Sequence, residues 1–193
     1  LLSPLGGAHL ASSWVDPGGT LVDLPAGTLA FRDPVDSSIE SDVQAETWSR
    51  DDAGAWTQRT GATRIERPTA AVALDDQRVL VVGCADRRPC DVGLVEIYDA
   101  ARDAWDATFT MPVDAIYAVA LALPDGDALV VSGGAAARLD LASGGWEVGP
   151  VVGAAMDAPA VAPTSDGRVL VVGGSLYGWE RRAYVLDTDT LAW

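Results

Sequence analysis

Few residues in this chain could do covalent or metal chemistry, and their spacing narrows what that chemistry can be. Its two cysteines lie six positions apart in CADRRPC, as Cys84 and Cys90. A hairpin loop brings such positions within the roughly 4.4–6.8 Å Cα separation that a disulfide needs. Zinc would need a second thiolate pair or a nearby histidine, and the chain has neither. Two readings remain: a disulfide, which implies an exported protein, or two reduced thiols in a cytosolic one. His9 is the only histidine, and a lone histidine points to structure before catalysis. No nucleophile elbow, zinc-protease helix or phosphate-binding glycine loop occurs. The pairs Asp51–Asp52 and Asp75–Asp76 read as solvated turn residues, and Asp187 and Asp189 lack the glycine and glutamate of a calcium loop. We therefore expect no catalytic residue, no metal site and no cofactor in this chain.

The elements that must position any site come from an internal repeat. VEIYDAARDAW, ARLDLASGGW and AYVLDTDTLAW each place a Trp seven residues after an apolar residue and six after an Asp. The three sets are Tyr98–Asp99–Trp105, Leu139–Asp140–Trp146 and Leu186–Asp187–Trp193. A looser copy, AETWSRDDAGAW, ends at Trp56 with Ser49 in place of the Asp. RVLVVGC, ALVVSGG and RVLVVGG precede the three copies and align Leu80, Leu129 and Leu170. Before each of these lies a run of small apolar residues closed by an acidic turn: TAAVALDD, AVALALPDGD and APAVAPTSDG. The unit is thus four short strands in roughly 40–50 residues, a length typical of propeller blades. Approximate blades fall at 1–58, 59–108, 109–149 and 150–193 of one domain.

The LVV strands are apolar at consecutive positions, so both faces must be covered, as when one sheet is sandwiched between two others. Small residues suit the strand nearest a crowded axis. Gly83, Gly133, Gly134, Gly173 and Gly174 close the LVV strands, where close backbone approach or positive φ is needed. In the Trp unit, the Asp is expected to accept hydrogen bonds from the backbone of the next turn. The Trp is expected to cover the outer part of the blade. Trp56, Trp105, Trp146, Trp193, Asp99, Asp140 and Asp187 are therefore architectural anchors.

Composition agrees. The chain is 49% hydrophobic, with 20 Gly and 11 Pro between short apolar runs, which argues for an all-β domain. No apolar run reaches the ~18 residues of a membrane helix, so we expect no membrane insertion. The net charge is −15 and every basic residue is Arg. The absence of Lys and Asn fits a GC-rich genome, and lack of Asn excludes N-glycosylation sequons. So acidic a chain lacks the basic footprint of a nucleic-acid binder.

The pattern of Gly-Gly after an apolar strand, then an aromatic, then Trp about seven residues on resembles the kelch repeat, from about Thr20 to Trp193. It departs from it at Leu139 and Leu186, which replace an aromatic, and at Cys84, which replaces a second glycine. In the first unit, GTLVDLPAG stands in for the LVV strand. The resemblance implies a kelch-type β-propeller with four-stranded antiparallel blades, usually six or seven to the ring. Four units make a partial ring, and the chain reads as a fragment of an exported bacterial protein whose remaining blades are its first partners. Its open blade faces would expose LVV-type surface, so the piece alone is expected to be poorly soluble or oligomeric.

Such a blade gathers its variable loops on one face. These are CADRRPCDVG, GGAAA (Gly133 to Ala137) and SLYGWERR, with the entering loops RIERP, MPVDAIY and AAMDAP. Candidate binding residues there are Tyr177, Trp179, Arg181, Arg182, Asp114, Tyr117, Asp157, Arg67, Arg87 and Arg88. Aromatic and Arg side chains suit a protein or glycan partner. The competing reading packs Trp179 on its own loop, leaves the arginines as solvated counterions and makes each Asp a turn cap. The resemblance also admits a propeller of a carbohydrate-active enzyme, of the radical-copper oxidase or sialic-acid epimerase kind, with catalytic residues outside this segment.

Overall fold

The computed structural model describes residues 19–33, 44–86, 90–152, 156, 159–173 and 182–193. Fifteen strands and no helix occur among them, so no helix there is long and apolar enough to cross a membrane. The first sheet holds β1 (Thr20–Leu24), β2 (Gly27–Arg32), β3 (Glu46–Arg50) and β4 (Trp56–Gln58). The second holds β5 (Arg67–Ala73), β6 (Arg78–Cys84), β7 (Gly93–Asp99) and β8 (Ala104–Thr110). The third holds β9 (Val119–Ala122), β10 (Ala128–Ser132), β11 (Ala135–Leu139) and β12 (Trp146–Val148). The fourth holds β13 (Ala160–Pro163), β14 (Arg168–Val172) and β15 (Ala183–Asp187). Every sheet is an antiparallel meander in chain order. The fold is all-β and blade-like, in the manner of a propeller.

Consecutive valines face opposite ways in a strand, and the core divides accordingly. Val79 and Val81 of β6 pack with Val22, Leu29 and Phe31 of the first sheet. Leu80 and Val82 pack with Ala128 and Val130 of the third. Leu129 and Val131 of β10 turn the other way and meet Val169, Val171 and Leu186 of the fourth. Strands β6 and β10 are thus sandwiched, but β14 is not: Leu170 is only partly buried and Val172 is 42% exposed, against the expectation from its LVV run. Strand β1 lies beside β5, and β5 beside β9, so the first strands of these three sheets adjoin.

Three details differ from the sequence reading. In the first sheet, GTLVDLPAG forms β1 and its turn, and the strand matching LVV is β2, GTLAFR. Pro25 has no N–H to extend the ladder, and Gly27 takes φ 129°, so the chain reverses there. GGAAA is not a loop: Gly133 and Gly134, at φ 57° and 84°, form a two-residue turn, and Ala135 already pairs with Ser132. Arg67 opens β5 opposite Cys84 instead of lying in an entering loop.

The repeated Asp closes the outer turn the same way three times. Asp99 Oδ1 accepts from the backbone N–H of Ala101 and Arg102, both at 2.9 Å. Asp140 accepts from Ala142 and Ser143 at 2.8 and 3.1 Å, and Asp187 from Asp189 and Thr190 at 3.1 and 2.9 Å. The Ser143 and Thr190 hydroxyls first, and then these backbone bonds, hold Asp140 and Asp187 below the usual range; at Asp99 the Arg102 N–H comes first, then its guanidinium. The Trp does more than cover its sheet. Trp105 Nε1 donates to Gly61 O at 3.3 Å, and Trp193 Nε1 to Pro150 O at 2.8 Å. Each indole therefore staples its own sheet to the segment leaving the preceding one.

The first two sheets are joined most firmly. Phe31 packs edge-on against Tyr98 and Trp105, which meet each other at a tilt, with all three centroids 5.1–5.9 Å apart. The Tyr98 hydroxyl donates to Asp103 Oδ1 at 2.6 Å, and Thr60 donates to Asp103 Oδ2 through its N–H at 3.1 Å and its hydroxyl at 2.9 Å. Burial opposes the Asp103 charge, but these bonds win and bring its pKa down to about 2. The Tyr98 hydroxyl is pushed well up, by burial first and then by Asp103. A carboxyl depressed below its unfolded value of ~3.9 stabilises the fold above that pH and loses the contribution as pH falls through about 2. Wild-type stability should therefore drop between about pH 4 and 2. In Asp103→Asn part of that drop should be missing, as read by urea midpoints across the range. Identical profiles would disprove the link.

Candidate functional site

One cleft on the loop face is built from two of the predicted segments. Its walls are Cys90–Asp91–Val92–Gly93 after the disulfide and Thr110–Met111–Pro112–Val113–Asp114–Ala115 entering the third sheet, around about 440 Å³. The walls are fixed by local chemistry. Cys84 and Cys90 are disulfide-bonded, with Cα atoms 5.3 Å apart. Cys84 is fully buried at the end of β6, so the bond ties the loop to the sheet. Ala85 N donates to Val92 O, and Met111 N to Gly93 O, each at 2.9 Å. A Cβ on Gly93 would meet Ala115 Cβ at 3.0 Å and Met111 Cβ at 3.2 Å, so any larger residue would push the two walls apart by a few tenths of an ångström.

The second wall is also pinned. Asp114 Oδ1 accepts from Ile116 N at 2.7 Å, and the Ser132 hydroxyl donates to Ile116 O at 3.0 Å. Two residues past the cleft, Tyr117 is held at φ 58° with its ring outward, 42% exposed. A bulky residue in left-handed backbone costs of order 1–3 kcal/mol, a kind of strain that clusters at functional loops. Val92 is 41% exposed on the other wall. The cleft thus joins exposed apolar surface to two exposed carboxylates, Asp91 and Asp114.

Of the predicted residues, the structure places Asp114 in the cleft's wall, with Cys90 of the cystine in the other wall, and Tyr117 follows two residues after the wall ends at Ala115. Arg67 lies at the start of β5, and Arg182 just before β15. Tyr177, Trp179, Arg181, Asp157, Arg87 and Arg88, with the anchor Gly174, lie outside the described residues. Val92, Gly93, Pro112 and Val113 were missed by reading for charge and aromatics. The Val-Gly directly after Cys90 was the available signal. Among the described residues, no group of three or more His, Cys, Asp or Glu could hold a metal ion. A second cavity of about 130 Å³ lies at the opposite end, between Leu24–Leu29 and Ala100–Ala101. Arg59 Nη2 closes it by donating to Ala100 O at 3.1 Å.

The cystine closes a short loop, so its entropic contribution is modest, roughly 2 kcal/mol. Cys84→Ala with Cys90→Ala should lower unfolding free energy by about that amount in urea. The N–H of Ala85 and Met111 should exchange faster with solvent in that variant. Unchanged exchange would mean that the hydrogen bonds alone hold the cleft. Such bonds persist in oxidising compartments, which favours an extracellular setting.

No family model and no curated protein matches this chain. Among solved structures, it is similar to a chain of Kuenenia stuttgartiensis hydrazine synthase, with a TM-score of 0.62 and 17% identity. The match covers 95% of this chain and 50% of the other, so this chain spans half the length of that structure. At this identity the likeness shows the fold alone.

Proposed function

We propose that the chain is a non-catalytic, kelch-type stretch of propeller from an exported protein, and that its loop face binds a protein partner at the cystine-braced cleft. The observation carrying this reading is a preformed cleft followed, two residues past its wall, by a strained and exposed tyrosine. Binding sites are concave, largely apolar and preformed, with a few placed polar groups, and exposed Tyr is a frequent anchor of binding energy. The Val92, Met111, Pro112 and Val113 lining suits an apolar peptide side chain better than the flat face of a sugar. The kelch reading rests on the Trp–Asp spacing, and the exported setting on the cystine.

The test is a screen of the full chain against a displayed peptide library and, in parallel, a glycan array. Peptides should be recovered, and Tyr117→Ala should weaken them about tenfold or more at an unchanged melting temperature. Recovery of glycans alone would overturn the choice of partner. Peptides indifferent to Tyr117 and to the double Cys→Ala variant would overturn the site.

A further inference from the structure

The cavity between the first two sheets, at the end opposite the cleft, is lined by the one buried cationic donor left without an acceptor among the described residues. The chain carries 28 acids against 13 arginines, so acceptors for a guanidinium are plentiful. Arg32, Arg78, Arg102, Arg138 and Arg168 each hold a carboxylate. Arg50 and Arg59 both line this cavity and hold none among the described residues. The Arg59 guanidinium makes one hydrogen bond, from Nη2 to Ala100 O. Its Nε is buried and has no partner. Buried polar groups are nearly always hydrogen-bonded, and burying a charged one without a partner is costly.

The rest of the lining is mainly apolar and closely held. Leu24 and Leu29, 9% and 3% exposed, form one wall. Ala100 and Ala101, in the turn between β7 and β8, form the other. The turn between β1 and β2 is pressed onto β3, since a Cβ on Gly27 would meet Arg50 O at 2.2 Å. Across the cavity, Ala100 N donates to Gln77 O at 2.8 Å. The volume of about 130 Å³ suits about six heavy atoms, since benzene enters an apolar cavity of ~150 Å³.

We propose that this cavity binds a carboxylate carrying a short branched aliphatic tail. The tail lies against the two leucines and the two alanines, where it leaves water. The carboxylate accepts from Arg59 Nε and a second N–H of that guanidinium, the paired geometry in which Arg holds carboxylates best. Arg50 adds a second cation; its Nε reaches Gly54 O only at 3.4 Å. A cationic ligand offers Arg59 Nε no acceptor, and a purely apolar one would bury that donor deeper. Sulfate or phosphate would leave the leucines without contact. Asp76 is the one lining group that opposes an anion, and it is exposed in its turn. Two sources present the same chemistry: a free branched acid, and the C-terminal residue of a peptide ending in an aliphatic side chain. This cavity shares no residue with the cystine-braced cleft, so either reading can fail alone.

The test titrates the full chain with isovalerate, read by calorimetry and by the arginine Nε–H resonances. Saturable binding in the millimolar range or tighter is expected, with the Arg59 Nε–H resonance shifting. Acetate lacks the tail and isovaleramide lacks the charge, so each should bind about tenfold or more weakly. Arg59→Met keeps the apolar stem and should weaken isovalerate by about tenfold or more. Asp76→Asn removes a like charge from an exposed turn, so isovalerate should bind about twofold or more tightly at an unchanged melting temperature. This second variant keeps the test readable if Arg59→Met fails to fold. No saturable binding would overturn the inference and leave water as the acceptor of Arg59 Nε. So would acetate or isovaleramide binding as well as isovalerate, or Asp76→Asn binding it more weakly. N-acetyl-glycyl-leucine separates the two sources: binding at least as tight as isovalerate assigns the site to a chain terminus, and weaker binding or none assigns it to a free acid.

Discussion

Tyr98→Ala is expected to remove about 3–5 kcal/mol of stability, within the range for truncating a large buried aromatic. The ring is fully buried, at the junction of the first two sheets, edge-on to Phe31 and tilted against Trp105. Its removal leaves a cavity that two flanking sheets cannot collapse around, and it takes one donor from Asp103. Tyr98→Phe separates the two effects. It keeps the ring and forfeits only the hydroxyl, so it should cost about 1–2 kcal/mol. Urea unfolding of the three proteins measures both. A Tyr98→Ala loss under about 1 kcal/mol would mean that the sheets do not depend on each other here.

Glu96→Ala should be about as damaging, at about 3–5 kcal/mol, for a polar reason. Glu96 is 1% exposed in the middle of β7. Its carboxylate accepts from the Thr63 hydroxyl and from Arg64 N at 2.9 Å through one oxygen, and from the Thr108 hydroxyl at 2.8 Å through the other. It thereby ties the linker after the first sheet, and the outer strand β8, to the centre of the second. Alanine would strand the buried Thr63 hydroxyl, at about 1–3 kcal/mol before relaxation, and would break two further charge-assisted hydrogen bonds, from Arg64 N and the Thr108 hydroxyl, whose residues water reaches. Glu96→Gln keeps the shape but turns an N–H₂ toward a donor, and should lose about 1–3 kcal/mol. Hydrogen exchange at Arg64 locates the effect: its N–H should lose protection in both variants. If Glu96→Ala unfolds at the wild-type urea midpoint, the clasp contributes nothing.

The sequence reading located the second, third and fourth sheets but shifted the first by one strand. LVV runs and Trp–Asp spacing are local signals, since strand alternation and Asx turns involve residues a few positions apart. The first unit broke them with Pro25 and a different second strand, so β1 was taken for β2. Glu96 was visible as a lone acid in VEIYD, yet its partners Thr63 and Arg64 sit in a linker with no pattern. The indole staples were equally hidden, because Gly61 and Pro150 offer only backbone carbonyls.

The candidate site divides the same way. Cys84 and Cys90 were legible as a possible bond because six-residue spacing in a hairpin nearly dictates their distance. Asp114 and Tyr117 were legible only as polar and aromatic residues in a variable loop. That Val92 and Gly93 face Met111 to Ala115 across a cleft was not legible, because those walls come from different sheets. By itself, then, the sequence determined the repeat, the all-β class, the both-face burial of β6 and β10 but not of β14, and the turn-closing Asp, all set by short-range periodicity. Tertiary structure alone decided which valine faces which neighbour and where a carboxylate could be buried with its donors. Those depend on how one sheet stacks against another, and that contact is made by residues some forty positions apart.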